Sequence, residues 1–399
     1  LTAGAAAAGD RLAATRWSLL AGNFAIGCGV MVVPGSLVDL TRSLQVSVAL
    51  GGQLITIAAA TLAIGAPLLA AVVGSWDRRR LLTLALVWFA AGHAAAALAP
   101  SYGVLTPLRA LGVLGAAVFT PQAAAAIGRL APPEARGRAI TFVFLGWSLA
   151  SVIGLPLHSW VGEAFGWRWA FALVAVLSAA AALGVWRTLP DGVRPPSPDL
   201  RGWGELFMHP ALMAVVAVTA LSGAGQFTLF SYFAPYCRRV LGADAAATSL
   251  LFAWFGIFGL VGNVMLSRWI DRAGTARSVA WLLVLMGVSL LAWPLAATPL
   301  ALAVVLVPWG LGCFASNSAQ QARLGLAAPR LAPALLALNT SAIYVGQAVG
   351  AAGGGMIVAA GGDGVDAYRP LSFVGVAWMA VALALSVWAA RRMRRQPDG

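Results

Sequence analysis

The sequence contains no lysine: all 26 of its basic residues are arginine. Charge of either sign is scarce, at 10% of 399 residues, where a soluble globular chain carries about 25%. Acidic residues number 13, and none sits in the middle of a long apolar run. Cysteine is rare too. Cys28, Cys237 and Cys313 fall in apolar or membrane-edge segments without metal-ligand spacing, and they read as small buried hydrophobes. No M-x-x-x-M pair occurs, and Met31, Met265 and Met286 lie on different apolar runs, so a soft-metal site has no support. Polar stretches are short. The longest, RTLPDGVRPPSPDLRGWGEL, covers only 187–206 and holds neither a soluble domain nor a catalytic constellation. A soluble enzyme is therefore excluded, and nothing asks for a cofactor or a metal.

What the chain has in abundance is apolar surface, 60% of its residues. A soluble core cannot absorb that much, so the membrane class follows. A bilayer core of ~30 Å needs about 20 apolar residues per helix. Punctuation by charge, Pro and Gly yields twelve predicted spans: 17–38, 48–73, 81–99, 103–128, 139–162 and 168–187, then 210–236, 246–268, 278–297, 299–322, 332–360 and 370–390. The Pro-rich stretch between the two sets reads as a linker. The expected organisation is an all-α membrane protein of two pseudo-symmetric six-helix bundles, residues 1–186 and 210–399, joined by a cytoplasmic linker over 187–209.

The net charge of +13 raises the question of nucleic acid, but that needs a basic face on a soluble domain. Here the arginines occupy short loops and set topology instead. With both termini cytoplasmic, twenty arginines fall inside and five outside (Arg42, Arg168, Arg238, Arg239 and Arg369), with Arg109 inside a span. The N-terminal LTAGAAAAGDRLAATR puts its apolar part before its arginines, the reverse of a secretory signal, and reads as a cytoplasmic tail. Asp77-Arg78 and Asp271-Arg272 are 194 positions apart, as are Arg129 and Arg323. That shared offset points to an internal duplication with parallel halves.

On these motifs the chain resembles the major facilitator superfamily, specifically its arabinose-efflux-like branch of drug:proton antiporters. SRWIDRAGTAR (267–277) is similar to the family's G-x-x-x-D-R-x-G-R-R loop, with Ser267 in place of the first Gly. The first-half copy, VVGSWDRRR, fits in two registers: Asp77-Arg78 as the Asp-Arg pair, or Gly74 in the Asp position with Arg78 and Arg79 as the basic pair. LRALGVLGAA (108–117) resembles the fourth-helix motif, with Arg109 as its intramembrane Arg and Gly112 where Gln is usual. GLPLHSWVGEAFGWRWAF (154–171) resembles the fifth-helix Gly/Pro motif, with His158 where a small Gly is usual. SNSAQQARLGLAAP (316–329) and LNTSAIYVGQAVGAAGGG (338–355) look like the tenth and eleventh helices of that branch.

The resemblance implies a monomeric inner-membrane secondary transporter moving a small molecule by alternating access, most simply proton-coupled efflux of a drug, sugar or nucleoside-like solute. A facilitator or importer, metal uptake included, is the alternative. Partners are then the solute, protons and the lipid bilayer, with no nucleic acid. Asp77, Arg78, Arg79, Asp271 and Arg272 would form a conformational latch, the acids favoured at helix N-termini. Gly154, Pro156 and Gly162 on the fifth span, and Gly346, Gly350 and Gly354 on the eleventh, follow small-residue spacings for close packing and are expected as hinge and interface. A charge inside a span costs at least ~2.5 kcal/mol and should meet a partner. At similar depth to Arg109 lie His158 and Asp39, and the three are the proton-coupling candidates, while His93 reads as a packing histidine. Asn23, Gln226, Tyr232, Asn317, Gln320, Asn339, Tyr344 and Gln347 are the substrate-binding candidates, with Trp147, Phe227, Phe230 and Trp254 as apolar walls.

Overall fold

Backbone that crosses hydrocarbon must satisfy its own N–H and C=O groups, and a helix does so within one segment. The computed structural model describes residues 2–73, 76–132, 136–194, 207–328, 332–362 and 364–394, and among these it is all-helical apart from turns. Twelve helices are long and apolar enough to cross a membrane. They are α1 (Arg11–Leu44), α2 (Val48–Leu69), α3 (Arg78–Ala97), α4 (Tyr102–Leu130), α5 (Phe142–Phe165), α6 (Trp167–Thr188), α7 (Pro210–Arg239), α8 (Ala245–Ile270), α9 (Thr275–Leu295), α10 (Pro299–Ala327), α11 (Leu335–Ala360) and α12 (Val365–Met393). All twelve expected spans are present. Large apolar side chains such as Ile64, Leu68, Trp88 and Trp281 stand exposed, a sticky surface in water that is at home against lipid.

Sequence chemistry sets the helix ends. Asp244 accepts the Ala247 N–H at 2.7 Å and caps α8, and Thr298 does the same for α10 with Ala301 at 3.2 Å. Gly166 and Gly274 carry φ of 98° and 80°, a left-handed bend that glycine makes without strain. Each joins two spans. Pro156 lacks the N–H that a continuing helix needs, and α5 widens just before it into a π-turn over Ala150–Gly154, where the Leu155 N–H reaches the Ala150 carbonyl. α7 breaks after Phe230 and resumes at Phe233.

Contacts group the chain into two units, residues 1–36 with 64–197, and 37–63 with 198–399. Within the first unit, α5 lies on α1 through small residues. A Cβ on Gly146 would strike the Leu20 carbonyl, one on Gly154 the Cys28 sulfur, and one on Gly162 the Ser36 side chain at 2.9 Å. α3 and α4 cross at Gly92 and Gly112, which touch backbone to backbone. Within the second unit, Gly346, Gly350 and Gly354 of α11 face the carbonyls of Ala220, Ala224 and Thr228 on α7. These glycines form seams inside each unit, α5 on α1 and α11 on α7.

The loop before α3 is held by its own charges. Asp77 caps α3 by accepting the Arg80 N–H at 3.2 Å, and its other oxygen accepts the Gly192 N–H at 2.6 Å. The Arg79 guanidinium donates to the Trp186 carbonyl and to Asp191, both at 2.7 Å, while lying over the Trp186 ring. Arg78 donates to the Trp76 carbonyl at 2.7 Å, and its backbone N–H to Val193 at 3.0 Å. The start of α3 is therefore tied to the chain just beyond α6.

Gly350→Ala should lower the melting midpoint of the purified protein, costing about 1–3 kcal/mol as overpacking, because the new methyl meets α7 backbone. Gly353→Ala, with open space around it, should be neutral or stabilising in the same melt. Asp77→Ala, which removes a helix cap and a cross-link together, should cost about 1–2 kcal/mol, and Asp77→Asn, which keeps acceptor oxygen, should cost less.

Candidate functional site

Arg109 on α4 is buried, with 2% of its surface exposed. Its NH1 donates to the Gly29 carbonyl at 2.7 Å and to His93 Nε2 at 3.0 Å, and its NH2 donates to the Val30 carbonyl at 3.1 Å. Among the described residues no carboxylate touches it. The reason for these acceptors lies in α1. Pro34 sits inside that helix, and a proline removes the N–H that residue i−4, here Val30, would have received. An unpaired carbonyl inside a membrane costs several kcal/mol. Arg109 supplies the missing donor, and its planar fork spans both carbonyls at once.

His93 on α3 is the partner that depth along the membrane did not single out. Arginine can only donate, so His93 Nε2 is the acceptor and its proton sits on Nδ1, which donates to the Phe89 carbonyl at 2.8 Å. Glycines bring the pair within reach. Gly92 and Gly112 let α3 and α4 touch beside it, and a Cβ on Gly29 would lie 2.9 Å from His93 Nε2. The rings of Phe89 and Phe171 close the cluster at 4.2 and 5.8 Å from the His93 ring.

His158 and Asp39 are the other two proton-coupling candidates. His158 is fully buried on α5, its Cβ against Gly35 of α1, and among the described residues neither ring nitrogen has a hydrogen-bond partner. Asp39 is half-buried and belongs to the second unit. Of the latch residues, Asp77, Arg78 and Arg79 engage the loop after α6 as described. Arg272 is exposed at the end of α8's helix, and the side chain of Asp271 lies outside the described structure.

Three of the substrate-binding candidates, Asn23, Gln320 and Asn339, sit in two polar clusters. In the first unit, Asn23 donates to the Val143 carbonyl at 3.0 Å and accepts from Thr120 at 2.9 Å, with the Trp147 indole 3.4 Å from the same hydroxyl. In the second, Thr219 donates to Asn339 at 2.6 Å, and Gln320 donates to Thr219 at 3.3 Å and to the Val215 carbonyl at 3.0 Å. Gln320 Oε1 and Asn339 Nδ2 are buried with no partner among the described residues. Gln226 accepts from the Trp309 indole at 3.2 Å. Tyr232 bridges from α7 to the Ala351 carbonyl of α11 at 2.8 Å. Tyr344 and Gln347 are buried on α11, and Asn317 is half-buried on α10.

The apolar walls divide as well. Phe230 packs at 6.1 Å or less against Phe227, Phe252, Phe255 and Trp309, whereas Trp254 donates to the Ala303 carbonyl on an exposed face. Thr120 and Thr219 are the network members that sequence reading missed. Each is one of a few hydroxyls in an apolar helix, and a polar group there was the available signal. Among the described residues there is no group of three or more potential metal ligands.

Comparison with known proteins agrees with this architecture. The Major Facilitator Superfamily profile matches residues 19–329 and 218–399. The inner membrane transport protein YdhP of Escherichia coli K12 is 27% identical over 381 residues, 96% of either chain. The MFS-type transporter YbcL of Bacillus subtilis is 29% identical over 84% of this chain and 86% of its own. Among solved structures, a bacterial homologue of the human lysosomal transporter Spinster, in its inward-facing and unoccupied conformation, superposes with a TM-score of 0.79 at 18% identity, covering 98% of each chain. A D-xylose–proton symporter gives 0.70 at 17% identity over 92% of this chain and 96% of its own. Sequence matches that run from the first span to the last, on a twelve-span helical fold, make this chain a member of the Major Facilitator Superfamily and a secondary transporter.

Proposed function

We propose that this transporter exports a small, neutral or weakly polar solute, of drug, sugar or nucleoside type, in exchange for protons across a bacterial inner membrane. Alternating access would be the mechanism and the monomer the working unit. The observation that carries the reading is Arg109, a cation buried in a membrane bundle with histidine and carbonyls for company but no acid. Ionisable groups at such depth are expensive and mark ion or substrate pathways by default. The relative YdhP is named for the inner membrane, and a fold neighbour is named for coupling xylose to a proton. Arginine bias supports cytoplasmic termini.

In this reading Arg109, His158 and Asp39 handle the proton. The halves 1–186 and 210–399, joined by 187–209, alternate about the solute. Asp77, Arg78 and Arg79, with Asp271 and Arg272 in the second copy, latch one state, and the glycine seams keep each half stiff. Solute binds near mid-depth, where transporters of this kind place their sites. Amides and phenols without a fixed acid suit an uncharged solute: Asn23, Gln226, Tyr232, Asn317, Gln320, Asn339, Tyr344 and Gln347. The lack of an acidic residue at mid-span favours a second reading, a facilitator without coupling.

Proteoliposomes carrying a proton gradient, challenged with a panel of labelled sugars, nucleosides and neutral antibiotics, separate the two. Export requires flux of at least one solute that collapses when the gradient is dissipated, and that is lost in Arg109→Ala. Flux that ignores dissipation selects the facilitator. Arg109→Lys should restore little, because one ammonium cannot serve two carbonyls and an imidazole.

A further inference from the structure

We propose that His93 is the proton acceptor paired with Arg109: a proton bound at His93 Nε2 expels the guanidinium and frees the Gly29 and Val30 carbonyls one turn before Pro34 in α1. The inference rests on the proton-coupled reading above and names a residue that reading leaves out.

Hydrogen-bond arithmetic supports it. His93 Nε2 now accepts from Arg109 NH1, so its lone pair is the one site on the ring open to a proton. Once Nε2 carries hydrogen, two donors face each other across 3.0 Å, and two cations stand in a desolvated bundle where like charges repel strongly. The contact cannot survive. The backbone that would receive the new N–H is close by, because a Cβ on Gly29, whose carbonyl Arg109 holds, would lie 2.9 Å from His93 Nε2. His93 would thus take over one of the guanidinium's own acceptors.

The surroundings isolate the pair. α1 offers only the Gly29 and Val30 carbonyls, α4 offers Arg109 and Gly112, α6 offers the Phe171 ring, and α3 itself offers Phe89. Gly112 stands where the resembling motif carries Gln, and it is Gly112 that admits Gly92 and so seats His93 on Arg109. Displacement of the guanidinium has a mechanical effect. Val30 already lacks its helical N–H because of Pro34, so loss of Arg109 leaves that carbonyl bare, and α1 must bend or rotate to find another donor. A proton is thereby converted into a movement of the first span.

The experiment uses purified full-length protein in detergent, with no solute and no gradient. Ring-nitrogen NMR of 15N-histidine protein follows the three histidines, His93, His158 and His209, from about pH 8 down to the lowest pH at which the protein stays folded, because a buried imidazole facing a guanidinium takes its proton below the usual histidine range. Amide exchange across residues 28–38, corrected for its intrinsic pH dependence, reads α1 in the same samples. The expected result is that the signal missing from His93→Gln passes from the neutral Nδ1–H tautomer to imidazolium while α1 loses protection in step. His93→Gln, whose amide oxygen accepts from Arg109 without titrating, should keep α1 protected throughout.

A His93 signal that stays neutral overturns the proposal. So does one that titrates while α1 protection holds, or an unchanged response in His93→Gln. If that variant fails to fold, His158→Gln and His209→Gln assign the remaining signal, and the wild-type curves decide. A titrating His93 in a protein whose flux ignores the proton gradient would remove the export reading and leave the switch. Proton-driven flux with a silent His93 would do the reverse.

Discussion

Hydrocarbon supplies no hydrogen bonds, so each backbone group that a membrane helix fails to pair must find a donor or acceptor on a neighbouring segment. This chain opens such a gap at Pro34 and fills it with Arg109. The guanidinium crosses from α4 to α1 and serves two carbonyls together. Its presence makes the local structure conditional. The donor to the Val30 carbonyl and the tautomer of His93 both hang on where one side chain lies. Among the described residues no acid meets this charge, and its donors go to two carbonyls and an imidazole.

The two units treat buried polarity differently. In the first, the amide of Asn23 has both a donor and an acceptor partner, and the Thr120 hydroxyl knits three spans together. In the second, the corresponding cluster around Thr219 leaves one amide oxygen and one amide nitrogen without partners among the described residues. Duplicated halves need not age alike. One cluster has become a strut, while the other keeps hydrogen-bonding capacity in reserve.

The spans were legible because length and hydropathy alone define them. Their ends were less so: the apolar run places α1 over 17–38, and the helix runs Arg11–Leu44, since a helix continues past arginine once its end leaves the hydrocarbon. Partners inside the bundle were harder. Counting residues from a membrane surface gives depth, and depth groups Arg109 with His158 and Asp39. It does not give direction around the helix axis, and here no amphipathic stripe reports it, because the face toward lipid and the face toward protein are both apolar. Hence His93, one span away and aimed at Arg109, reads as packing. One clue was present, for Pro34 marks the Val30 carbonyl as needy by simple counting. The Gly92–Gly112 crossing could not be foreseen, because it requires knowing which helices are neighbours.

The backbone-on-backbone seam between α7 and α11 has an electrical side. With the carbonyls of Ala220, Ala224 and Thr228 pressed onto glycines, that contact leaves no room for the ~10–15 Å³ that a water needs. A file of waters would be a wire for protons, and any transporter living on an ion gradient must avoid short circuits. Three glycines spaced four apart thus close this seam of the second unit to water.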